Sequence, residues 1–88
     1  MVEIKLISFD NGIAVIDCYP EGKQEQVFQL KIDVKNKKVL HNPLEFKGSA
    51  YAIHAAWKMY DIYDETGTLP QSAVSIWYWI IIFPVDIQ

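Results

Sequence analysis

Polar and apolar residues alternate through much of the first half of this chain. In Gln26–Val34, Phe28, Leu30, Ile32 and Val34 fall on one side, and Gln29, Lys31 and Asp33 on the other. That period of two predicts a strand with one dry and one wet face. Val2–Phe9 and Ile13–Tyr19 read as two further strands around Asp10-Asn11-Gly12. Asn-Gly is a strong two-residue hairpin signal, because both positions tolerate positive φ. Pro20-Glu21-Gly22-Lys23 predicts a second turn, with Pro presetting φ and Gly supplying a left-handed residue. A turn at Lys35–Lys38 leads to a short strand, Val39–His41, which Asn42-Pro43 ends.

The period then changes. From about residue 49 to 66 the apolar positions follow helical spacing. Ala52, Ala56, Met59 and Tyr63 lie along the centre of one face, flanked by Ile53, Ala55, Tyr60 and Ile62. The opposite face carries His54, Lys58, Asp61 and Glu65. Ser49 offers an N-cap hydroxyl, and Gly67 a left-handed C-terminal cap. After the loop Gly67–Ser72, the last strand is expected over roughly Ala73–Phe83, stopped by Pro84. One of its faces is Val74, Ile76, Tyr78, Ile80 and Ile82, expected to meet the helix. The other runs Ala73, Ser75, Trp77, Trp79, Ile81 and Phe83.

The pattern therefore predicts an α+β fold in the order ββββαβ, a mostly antiparallel five-stranded sheet. A four-strand meander leads, one amphipathic helix packs on one face, and a long apolar strand closes the chain. If the first four strands pair in order, the fifth joins outside the first or outside the fourth. A split meander or a curled sheet are the alternatives. In each case one helix covers one face only, and the most apolar strand has a face left over. Apolar edges are normally covered, and the expected cover is another chain.

Composition narrows the function classes. Eighty-eight residues suit a single domain, 1–88, with one modest core. Hydrophobic residues make up 51%, which argues against disorder. The net charge of −3 arises entirely in the second half: the seven Lys and seven acids of residues 1–48 cancel, while Lys58 faces Asp61, Asp64, Glu65 and Asp86. The chain has no Arg, the residue best suited to bidentate phosphate and guanine contacts, so nucleic-acid binding is not expected. The apolar run Ile76–Val85 is about half of the roughly twenty residues a membrane helix needs. Cys18 has no partner for a disulfide, which favours a reducing, cytoplasmic setting for a soluble protein.

The candidate surface is Trp77, Trp79 and Ile81 of the last strand, with Val15 and Tyr19 of the second. Trp and Tyr bring large contact area with few rotatable bonds, so they favour interface cores. The expected partner is a second copy of the chain, as a homodimer. The competing account makes these residues ordinary core beneath a curled sheet. Asp61, Asp64 and Glu65 crowd the end of the helix, where the macrodipole disfavours carboxylates. They suggest either a docking point for a basic protein partner or simply a solvated helix end.

Catalytic signals are weak. Cys18, His41, His54 and Asp17 would have to converge for thiol chemistry, and Cys18 lies in a strand, away from any helix N-terminus. Two His and one Cys at no ligand spacing do not define a zinc site. The isolated Gly12, Gly22, Gly48 and Gly67 form no phosphate loop. No cofactor, metal or catalytic residue is expected. One alternative to a protein-interaction module is a small ligand-binding or catalytic domain with its pocket between helix and sheet, near His41 and His54. The other is an acidic inhibitor or adaptor that covers a basic patch on a partner protein through Asp61, Asp64 and Glu65.

Overall fold

The computed structural model describes residues 1–43 and 50–77. Within them lie β1 (Val2–Asp10), β2 (Ile13–Pro20), a 3-10 turn (Gln24–Gln26), β3 (Phe28–Asp33), β4 (Lys38–His41), α1 (Ala50–Thr66) and β5 (Ser72–Ser75). The five strands form one sheet in the order β4-β3-β2-β1-β5, each pair antiparallel. The fold is α+β with one helix among the described residues.

Each element follows from local chemistry. At the first hairpin Asn11 and Gly12 have φ of 53° and 81°, the doubly left-handed turn that matches the twist of the flanking strands. The Gly12 carbonyl accepts the Val34 N–H at 2.9 Å, stitching this turn to the end of β3. In the next turn both Glu21 and Gly22 are left-handed, while Pro20 closes β2. The Asp33 carboxylate organises the β3–β4 turn. It accepts the backbone N–H groups of Lys35 and Asn36 at 3.1 and 3.0 Å and the Asn36 amide at 2.8 Å. Those donors, the Asn36 side-chain amide first, hold its carboxyl below its ordinary value. α1 ends at Gly67, whose φ is 77° and whose N–H reaches the Tyr63 carbonyl at 2.8 Å. This is the left-handed cap in its single-bond form. The N-cap expected at Ser49 lies outside the described residues.

The core sits between α1 and one sheet face. Val2 and Ile4 of β1, Ala14, Ile16 and Cys18 of β2, and Leu30 and Ile32 of β3 are wholly buried. A bulge in β1 preserves this pattern. Leu6 faces Ile16 and Ser8 faces Val15, so Ile7 is the extra residue. Leu6 and Phe9, three apart in sequence, thereby both pack against the core, and Ile7 is left exposed. The helix contributes Ala52, Ala55, Ala56, Met59 and Tyr60. Three alanines on that face allow the helix to approach the sheet closely.

Several details differ from the sequence expectation. Ile53, expected on the flank of the buried face, is exposed, and Tyr63 is half-buried. β3 begins at Phe28, because Gln24–Gln26 are wound into the 3-10 turn. The last strand, expected over 73–83, is β5 at Ser72–Ser75. Ile76 and Trp77 follow it outside the sheet, and positions 78–83 lie outside the described residues. Its two faces are also exchanged. β5 pairs with β1 through Ile4↔Ala73 and Val2↔Ser75, so Ala73 and Ser75 share the helix side with the buried Val2 and Ile4. Val74 and Ile76, expected beneath the helix, are exposed.

Candidate interaction surface

β5 borders two regions that carry apolar material outside the core, apart from the exposed Val39 and Leu40 on the β4 edge. The first is the aromatic corner where the chain leaves β5. Trp77 packs partly buried against the core. Its ring stacks on His54, with centroids 4.2 Å apart and planes within 4°. Tyr51 meets it edge-on at 5.6 Å, and Trp57 approaches the other side of the cluster through His54 at 5.3 Å. Tyr51 donates a hydrogen bond to Glu21 Oε2 at 3.2 Å, and the N-terminal ammonium holds the same oxygen at 3.0 Å. The start of α1, the chain terminus and the β2–β3 turn thus meet at one carboxylate. These donors, the ammonium first, lower the Glu21 carboxyl below its ordinary value.

The second region is the sheet face away from α1. Val15 and Tyr19 lie there, alternating with the buried Ile16 and Cys18. Polar side chains surround them. Gln29 donates to Asp17 at 3.0 Å, and the Lys5 ammonium lies 5.4 Å from the Tyr19 ring centroid. Glu3 and Val74 are opposite one another across β1 and β5. This face is therefore mixed; at its β5 end Val74 is 42% exposed, and Ile76, just beyond the strand, is 62% exposed.

The expected grouping of Trp77 with Val15 and Tyr19 on one uncovered face is corrected by this arrangement. Trp77 belongs to the helix side of the sheet, while Val15 and Tyr19 belong to the other. Trp79 and Ile81, the remaining residues of that grouping, lie outside the described residues. Of the three acids at the helix end, Asp64 is taken by Lys37 at 2.9 Å, tying the β3–β4 turn to α1. The lysine also offsets a carboxylate at an unfavourable helix end. Asp61 and Glu65 are exposed.

The backbone geometry of β5 defines its free edge. Leu6 N–H donates to the Gln71 carbonyl at 2.9 Å, one step before the pair Lys5↔Ser72. In an antiparallel ladder, hydrogen-bonded pairs alternate with non-bonded ones. Residues 71, 73 and 75 therefore direct their N–H and C=O toward β1, and residues 72 and 74 direct theirs outward. Among the described residues no strand pairs with that outer side. Gln71–Trp77 carries no charged side chain.

The chemistry-bearing side chains do not converge. Cys18 is buried on the helix side, whereas its neighbour Asp17 points to the other face. Burial, and then the Asp17 charge, push the Cys18 thiol up to about 12, far from a reactive thiolate. His41 is on the β4 edge and His54 on α1. Among the described residues there is no enclosed pocket and no group of three or more His, Cys, Asp or Glu placed to hold a metal. No described helix is long and apolar enough to cross a membrane. Tyr60, expected on the flank of the helix's dry face, is buried there, and its hydroxyl has no hydrogen-bond partner among the described residues. Comparison with known protein families, curated proteins and solved structures finds no match.

Proposed function

We propose that this protein is a protein–protein interaction module that self-associates through the region around its last strand. One observation carries the reading. β5 is an uncharged edge strand with outward backbone groups, and Val74 and Ile76 stand exposed beside it. An open edge of this kind is a template for pairing, and natural proteins normally cover or charge it. The absence of an enclosed pocket among the described residues gives a small-molecule reading no comparable support. A cytoplasmic setting suits the one cysteine, a buried free thiol.

Sedimentation or light scattering at micromolar concentration tests the proposal. The expected result is a mass of two chains or more, retained at high salt because the contact is uncharged. A single-chain mass across that range overturns it.

A further inference from the structure

We infer that two copies join β5 edge to β5 edge, antiparallel, about a two-fold axis at Val74, so that the two sheets become one. This rests on the self-association proposed above and specifies its geometry. Three observations lead to it.

The first is the direction of the free backbone groups. Residues 72 and 74 present N–H and C=O outward, since the Leu6–Gln71 bond fixes the alternation of the β1–β5 ladder. The second is charge. An antiparallel copy of Gln71–Trp77 sets no charged side chain opposite another, because the segment has none. The other edge of the same sheet is unsuited to the role. β4 lies beside Lys35, Lys37 and Lys38, and its ladder with β3 is broken by an irregularity between Lys31 and Ile32. Lysines and bulges are the devices that keep edges from pairing. Among the described strands, a second β5 is thus the one that can satisfy the first.

The third observation selects the register. Outward groups meet only when the paired residue numbers have an even sum. Of the four such alignments centred within the strand, the one on Ser72 sets Val74 against Pro70, which has no N–H, and those on Ala73, Val74 and Ser75 are left. Centring on Val74 sets Val74 against its copy and Ser72 against Ile76 of the other chain. On the helix side it sets Ala73 against Ser75, two small side chains that leave room for the neighbouring helices. Centring on Ala73 places Val74 against Ser72 and sets Ile76 against Pro70, which has no N–H to offer. Centring on Ser75 brings Trp77 onto Ala73 of the other copy, yet Trp77 is already stacked on its own His54. In the Val74-centred pairing, Ala73 and Ser75 of opposite chains form a non-hydrogen-bonded pair with Cα atoms about 4.5 Å apart, within disulfide reach.

Cysteine pairing distinguishes every case. Two variants, Ala73→Cys and Ser75→Cys, are mixed and mildly oxidised, with their native fold checked by continued protection of the buried Cys18. The proposal predicts a mixed disulfide between the two variants and little of either self-linked product. A self-linked Ala73→Cys product overturns the register in favour of the Ala73-centred one. A self-linked Ser75→Cys product overturns it in favour of the Ser75-centred one. A two-chain mass without any of these links overturns edge pairing while leaving self-association standing, and a single-chain mass overturns both.

Discussion

The two edges of this sheet are built in opposite ways. β4 is short and exposed at every position, its ladder to β3 is irregular, and lysines crowd the turn that precedes it. It is also anchored: Lys37 in that turn pairs with Asp64 of α1. β5 is equally short, yet its ladder to β1 is regular and it bears no charge. Strand length does not separate them, and both carry exposed aliphatic residues, Val39 and Leu40 on β4 and Val74 on β5. What differs is whether another strand can approach. A lysine beside an edge must be desolvated for pairing, and a bulge removes the matching row of donors and acceptors. β4 has both obstacles and β5 neither.

The largest expected effect tests whether the contrast is confined to the edges. Ile4→Ala beside β5 and Ile32→Ala near β4 both empty a wholly buried site. Each should lower unfolding stability by about 2–5 kcal/mol in denaturant titration, with similar values for the two. A much smaller cost at Ile4 would mean that the β5 side is loosely packed, and the edge comparison would then be one of rigidity.

Charging the edges breaks the comparison directly. Val74→Lys should weaken self-association by about tenfold or more, because it loses an apolar contact and sets like charges opposite one another. Val39→Lys on β4 should leave the sedimented mass unchanged. The reverse pattern would move the interface to β4.

Trp77→Ala removes the stack on His54 and the edge contact with Tyr51. A loss of about 1–2 kcal/mol in unfolding stability is expected from such aromatic pairs. A change in mass with no change in stability would return Trp77 to the interface.

The smallest effects concern the polar ties. Lys37→Ala should cost less than about 1 kcal/mol, with the difference shrinking in high salt, since both partners are half-exposed. The Glu21 carboxylate has a lowered folded-state pKa, so the stability it adds is fully present above its ordinary value of 4.5. That contribution is lost as pH falls through the folded value. Glu21→Gln should therefore flatten the acid side of a Tm–pH profile and leave the neutral side offset. A parallel shift at every pH would show that the carboxylate contributes through shape alone.

Much of the fold was legible because its signals are local. Asn11-Gly12 demands two left-handed residues wherever it sits, and only a hairpin uses them between two alternating runs. The amphipathic spacing from Ala52 to Tyr60 could serve only a helix with one dry side. The chain order even restricted β5 to an edge, once the meander paired in sequence. Local rules failed where two faces were equally apolar. Ala73 and Val74 are both acceptable to a core, so alternation could not say which faces inward. The Lys37–Asp64 pair was illegible for another reason: its members are 27 residues apart, and no local pattern joins them.

By itself, then, the sequence determined the kinds of element, their order, the hairpin turns and the location of uncharged chain near the end. Each depends on backbone preferences and side-chain periodicity within a few residues. Tertiary structure decided the inward face of β5, the seat of Trp77 on His54 and the outward row of N–H and C=O groups at residues 72 and 74. These depend on the register between strands far apart in the chain, with Val2 facing Ser75. A shift of one residue in that register would exchange the faces of β5 and turn its free backbone groups the other way.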